Sequence, residues 1–458
     1  MEQPQPELSP PVTNRWLRIT VIVVVVLLTL LAFAYTATRY AAGSLVQARI
    51  QSLRQAGYPV QAADLMPAPV PASRNAAPLY LQASGSLATV ERQYESLGGI
   101  FGSGPGAQAD LAAIHELLES NQPTFDLVRR ASRLPDCQFD TDYRQGLDAQ
   151  FPYYANMRTP VRALGYRALD QASHGDGPAA YDTLATSLRV ARHLKNEPLL
   201  IGQLVHYACL AIVTRHLALV MDLTPPRPQD ARKLWPLLDS SHLGPAYTRV
   251  IISERAFGIT IWQQPPAQLL AAAISLLTPF NVGSDRQRFW MAPLATIGQP
   301  LLDANLLHYL DLLERAVKAS RLPGQQARQE LARIERAANQ APGYLVMARI
   351  MPPPLVWARE ATDRAAANLA LARWALALSL YRQRTGHYPA RLAQAAAGMP
   401  SPPELDPTSG REPIYRPLPN SYLLYCLGPN GQDDGGSTPS ARSPYADDIP
   451  WLVTTHSR

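Results

Sequence analysis

Cysteine and lysine are scarce in this chain, three of each in 458 residues. Cys137, Cys209 and Cys426 are too few and too far apart to staple a chain of this length, and no C-x-x-C pair points to zinc or redox chemistry. The basic residues are otherwise all arginine, scattered along the chain, so the net charge of +6 forms no stripe of the kind that binds nucleic acid. Charged residues make up 17% and hydrophobic ones 47%, which excludes a disordered polyelectrolyte. The nine histidines include no H-E-x-x-H, and the chain has no G-x-S-x-G elbow, no Walker loop and no dinucleotide fingerprint after a strand. What remains is a folding chain, long enough for roughly three units at about 150 residues each.

Against this background one segment stands out. Residues 19–38 carry no charge and are bracketed by Arg18 and Arg39. At 1.5 Å per residue, twenty residues make roughly 30 Å of helix, the thickness of a bilayer's hydrocarbon core. The β-branched run from Val21 to Val26 is a weak helix former in water, but in lipid only a helix satisfies the backbone of a single segment. Trp16, Tyr35 and Tyr40 suit the two interfaces. The reading is one transmembrane helix with the lipid bilayer as its partner. The alternative is a cleaved signal peptide, because Ala32-Phe33-Ala34 offers an A-x-A site. Leu199 to Met221 is also apolar but carries Gln203, His206, Arg215 and His216, so it reads as a buried helix. So does the short run from Leu269 to Leu277, with an interfacial segment around Phe289, Trp290 and Met291 as the alternative.

The rest divides by pattern. A tail (1–18) and the span (19–38) precede a stalk and Pro-rich linker (39–74) whose helix stops at Gly57-Tyr58-Pro59. Residues 75–357 read as an irregular multi-helical domain. Leu111, Ile114, Leu117 and Leu118 repeat at helical spacing, as do Leu184, Leu188, Ala191 and Leu194, and Leu306, Leu310, Leu313 and Val317. No fixed 34- or 40-residue period marks a solenoid. In residues 358–458 a long helix, Ala358 to Arg384, carries Leu369, Ala372, Leu376 and Leu380 on one face and gives way to short β-prone pieces at Ile414–Arg416 and Ser421–Leu427. The fold class is therefore mainly α with a small C-terminal α+β module. From residue 400 onward seven acids face four arginines, so the module is acidic on a basic chain.

That module carries a resemblance. Tyr381 followed by Gly386-His-Tyr388-Pro389 and Leu392, then Asp406-Pro407-Thr-Ser-Gly410 with Pro413 and Tyr415, then Tyr422-Leu-Leu-Tyr425-Cys426-Leu427-Gly428 and Asp447-Asp448-Ile449, is similar to the C-terminal part of the type II secretion major pseudopilins. It covers about 85 residues from Trp374. The resemblance implies a pseudopilin-like module outside the cytoplasm of a bacterium, with the span in the inner membrane and the bulk of the chain in the periplasm. It also implies a calcium-binding final loop, with Asn430, Asp447, Asp448 and Leu427 as its ligand residues. Calcium takes six to eight hard oxygens, which a bend of Gly, Asn and Asp can present. The alternative is an acidic turn held by local Asx hydrogen bonds. An EF-hand does not fit, since position twelve counted from Asn430 is Ala441. Two departures limit the likeness: Asn430 stands where the family commonly has Asp, and Cys426 replaces a small hydroxyl residue. Pseudopilins polymerise through a Glu-bearing N-terminal helix, whereas this span has no Glu and lies more than 300 residues from the module, so fibre assembly does not transfer.

The near-misses for chemistry are weak. The glycines from Gly98 to Gly106 lack the Lys-Ser/Thr of a phosphate loop, and His206 and His216 fall ten residues apart, on different sides of a helix. Asp136, Asp140 and Asp142 beside Cys137 read as a solvated turn. The expected function is a membrane-anchored envelope protein that works through contact with an envelope protein partner, linked to secretion machinery. The alternative is an envelope hydrolase with a dispersed site that includes Asp142 or Glu254.

Overall fold

The computed structural model describes residues 15–98, 110–265, 269, 298–438 and 447–451. It is mainly helical. The long helix α1 (Arg15–Gln55) is followed by α2 (Ala77–Ser96), α3 (Leu111–Ser120), α4 (Gln122–Ala131), α5 (Tyr153–Ser173), α6 (Gly177–Arg192), α7 (Leu200–Leu223), α8 (Pro228–Leu234) and α9 (Leu243–Trp262). Then come α10 (Gln299–Ser320), α11 (Gly324–Asn339), α12 (Val346–Ile350), α13 (Leu355–Thr385) and α14 (Leu392–Ala396). The chain breaks marked by proline serve as starts: Pro178 lies in the first turn of α6, and Pro228 opens α8.

The 41 residues of α1 make about 60 Å of helix. None of its most apolar 18-residue stretch is buried against protein, and it is long and apolar enough to cross a membrane. Its four threonines satisfy themselves: the hydroxyls of Thr20, Thr29, Thr36 and Thr38 donate to the carbonyls of Trp16, Val25, Ala32 and Ala34 at 2.9, 2.7, 2.7 and 2.7 Å. Beyond the apolar stretch the same helix enters the body. Val46, Ile50 and Leu53 form a buried stripe against α10, and Arg49 pairs with Glu314. The helix then closes with Tyr58 N–H donating to Leu53 O at 3.1 Å and Gly57 N–H to Arg54 O at 3.0 Å.

Two cores lie behind it. One packs α2, α5, α6 and α7 with most of α13; the other packs the end of α1 with α9, α10 and α11. The expected faces of α6 and α10 are inside: Leu184, Leu188, Ala191 and Leu194 are buried, as are Leu306, Leu310, Leu313 and Val317. On α3 the inner face is narrower, with Ile114 and Leu118 buried and Leu111 half exposed.

Helix α13 joins the cores. Its Leu355 and Ala358 belong to the second and Ala365 to Leu378 to the first. Where they meet, Asp363 is buried between Arg328 of α11 and Arg359 of its own helix, both at 2.9 Å. Burial pushes the Asp363 carboxyl up and the two guanidiniums pull it back.

The C-terminal sheet is antiparallel, in the order β1 (Ile414–Pro417), β2 (Tyr422–Cys426), β3 (Ile449–Pro450). Ile414 pairs with Tyr425 and Pro417 with Tyr422, while Cys426 pairs with Ile449. Arg373 clamps the chain ahead of the sheet to α13: it donates to Trp235 O at 2.7 and 3.0 Å and to Glu404 Oε1 at 2.7 Å. Trp374 Nε1–H donates to Glu404 O at 3.1 Å.

Candidate functional site

The loop between β2 and β3 gathers the residues that the resemblance implies for calcium. Asp447 Oδ2 accepts from Asn430 N–H at 3.0 Å, and Asp448 Oδ2 accepts from Asp434 and Gly436 N–H at 2.9 and 2.8 Å. Asn430 Oδ1 accepts from Gln432 N–H at 2.7 Å, an Asx turn, and its Nδ2 donates to Asp434 Oδ2 at 2.8 Å. Leu427 joins through its backbone, its N–H donating to Asp406 Oδ2 at 3.2 Å. Asp406 is the hub of the preceding turn, accepting also from Thr408 N–H at 2.8 Å and the Ser409 hydroxyl at 2.7 Å.

These bonds use one oxygen of each aspartate in the final pair. Among the described residues Asp447 Oδ1 and Asp448 Oδ1 are buried with no hydrogen-bond partner, and Asp448 is wholly inaccessible. Burial raises the Asp448 carboxyl above its ordinary range. Gly428 makes the arrangement sterically feasible, because a Cβ there would lie 2.0 Å from the Asp447 carbonyl oxygen and 2.1 Å from its Oδ1. Two orphaned hard oxygens in a glycine-rich loop are donors of the kind that calcium takes.

A second place lies at the turn that the sequence singles out, with Asp136, Cys137 and Asp140 in its lining. A cleft of about 680 Å³ opens beside Cys137, Tyr143, Tyr153, His193, Lys195 and Glu197. Glu197 accepts from the Tyr154 hydroxyl at 2.8 Å, and burial pushes its carboxyl up to about 7. Burial lowers the His193 imidazole, whose ring bridges the Tyr80 hydroxyl at 2.8 Å and Leu134 O at 3.0 Å. Burial raises the Cys137 thiol, so it lacks the thiolate character of a nucleophile.

The residues weighed for hydrolysis have other work. Asp142 is ion-paired with Arg144 at 2.7 Å, which holds its carboxyl below the ordinary range. Glu254 caps α7, its Oε1 accepting from Leu200 N–H at 2.7 Å. Asp136 pairs with Arg74 at 2.9 Å. His206 and His216 do not meet. His206 stacks on His242 with ring centroids 5.6 Å apart, and burial lowers the two rings to about 3 and about 4 respectively. His216 Nδ1–H donates to Ile212 O at 2.7 Å. All three cysteines are free. The glycine-rich stretch beyond Gly98 and the residues around Trp290 lie outside the described residues.

No protein-family model, curated protein or solved structure matches the chain.

Proposed function

We propose that the protein is a single-pass envelope protein of the bacterial inner membrane, with its bulk in the periplasm, that acts through contact with an envelope protein partner. The observation that carries this reading is the continuity of α1. Its exposed apolar length runs without a break into a stripe buried against α10, so lipid anchor and body move as one piece. A rigid connection sets the body's height above a bilayer, which serves a scaffold better than a freely diffusing catalyst. The C-terminal module is read as pseudopilin-like, supported by the helix-to-antiparallel-sheet order and by Asp406 fixing the Asp-Pro-x-x-Gly turn. Purification from membranes in mild detergent tests the contact reading. A stoichiometric envelope complex is expected; an isolated protein that turns over small esters or peptides would reverse it.

Calcium is read as the ion of the C-terminal loop, held by Asp447 and Asp448 with Asn430 and Leu427 beside them. At a hundredfold excess over its Kd, such an ion stabilises by about 2.7 kcal/mol. The melting transition is expected to rise with calcium and fall with chelator, and Asp448→Asn should abolish that difference. An unchanged wild-type transition removes the metal.

One observation favours a second reading, an envelope hydrolase: a carboxyl near 7 in a cleft is the profile of a general acid or base. A Glu197-dependent turnover, lost in Glu197→Gln with the fold intact, would establish it.

A further inference from the structure

At the far end of α5 from the cleft, two helices bring together a cluster that neither reading uses. Among the described residues, His115, Asp170 and His174 are the three metal-capable side chains whose ligand atoms all lie within 4.8 Å of one another. His115 Nδ1 is 3.0 Å from Asp170 Oδ2, and His174 Nδ1 is 3.3 Å from Asp170 Oδ1. The two imidazole centroids are 4.4 Å apart.

We propose that these three side chains bind a divalent transition metal, zinc above all. Nitrogen and carboxylate donors suit zinc, and with bonds near 2.0–2.1 Å tetrahedral ligands sit roughly 3.3 Å apart. The two nitrogen–oxygen spacings are close to that value, and His174 Nδ1, which lies 2.9 Å from the Asp170 carbonyl oxygen, must leave that contact for the ion to enter. Calcium does not fit, because two of the three donors are nitrogen.

The site is built before any ion arrives. Asp170 and His174 are one turn apart and share a face of α5. The helix ends there in a paired closure, Gly175 N–H donating to Ala172 O at 3.0 Å and Asp176 N–H to Gln171 O at 2.9 Å, with Gly175 at φ +81°. A residue with a Cβ is strained in that conformation, so the closure that places His174 depends on glycine. Arg167 pins α3 against α5. It donates to Leu118 O at 3.1 Å, pairs with Glu119 at 3.2 Å and lies 4.9 Å over the Phe125 ring. That guanidinium is therefore committed elsewhere.

The Asp170 side chain is 3% exposed, and its only ion-pair partners among the described residues are the two imidazoles, one on each carboxylate oxygen. The histidine side chains are 44% and 51% exposed, which gives the ion a route in and leaves a coordination position facing water. This inference is independent of the calcium loop.

The test is metal titration of the chelator-stripped full chain in detergent, with Zn²⁺ by calorimetry and Co²⁺ by absorption. The expected result is one equivalent of zinc, a Co²⁺ spectrum of nitrogen and oxygen ligands, and at least a tenfold loss of affinity in His115→Ala and in His174→Ala. Each variant takes a partner from buried Asp170 and should lower the metal-free melting transition modestly, so a retained cooperative transition serves as the folding control. Asp448→Asn should bind zinc unchanged, which separates this site from the C-terminal loop. No uptake, uptake unaltered in the two histidine variants, or a thiolate charge-transfer band would overturn the assignment.

Discussion

Helices α1 and α7 are both long and apolar enough to cross a bilayer, yet none of the apolar stretch of α1 is buried in protein and 61% of that of α7 is. Their polar residues explain the difference. In α1 the threonine hydroxyls return to carbonyls of the same helix, so the segment carries no unmet polar demand outward. In α7 Thr214 and His216 also return to their own helix, but Gln203 does not: its Nε2 donates to Lys195 O at 3.0 Å and to Glu197 O at 2.9 Å, outside the helix. Length and apolar content do not separate a lipid-facing helix from a core helix; where the polar side chains find partners does.

The sharpest way to break this comparison is to cut the same side chain in both helices. Leu217 of α7 is fully buried, so Leu217→Ala should cost about 2–5 kcal/mol in the denaturant unfolding of the detergent-solubilised chain. Leu28 of α1 is exposed, and Leu28→Ala should leave that transition within about 0.5 kcal/mol. Equal losses would place α1 inside the body. Next in size, Val25→Arg should weaken membrane insertion by about 3 kcal/mol, read as a shift into the soluble fraction, while the body unfolds as before. A body destabilised by that change would contradict the separation.

A third effect sharpens the account of the ground beside α7. Because the folded state raises the Glu197 carboxyl to about 7, the native protein holds a proton that the unfolded chain has released. The stability from this group is present below about pH 4.5 and lost as pH rises through 7, by at most about 3 kcal/mol. Glu197→Gln keeps a neutral acceptor for Tyr154 and should flatten that part of the profile, measured by denaturation at pH 5 and pH 8. An unchanged slope would show that Glu197 titrates normally.

The long apolar helix was legible because a charge gap is a local property of sequence, and the helical faces of α6 and α10 were legible for the same reason. The start of α13 is displaced by three residues from Ala358 because Pro354 caps it, which makes Leu355 the first helical residue. Strand β2 falls within the expected run, but β3 is two residues long and ends in proline, below any alternation signal. The buried stripe of Val46, Ile50 and Leu53 was hidden because it continues an apolar helix and shows itself only against α10. Distance along the chain hides the rest. The spacing of Asp170 and His174 marks one helix face, whereas His115 joins them from 55 residues away. Glu197 gains its character from burial, and its hydroxyl partner Tyr154 comes from 43 residues earlier. Such meetings belong to packing.

Washing membranes with alkaline carbonate tests the central claim most directly, applied in parallel to the full chain and to a chain beginning at Tyr40. The full chain should stay with the vesicles, and the shortened chain should appear folded in the supernatant. Release of the full chain, or retention of the shortened one, would show that α1 is not the helix that holds this protein in the membrane.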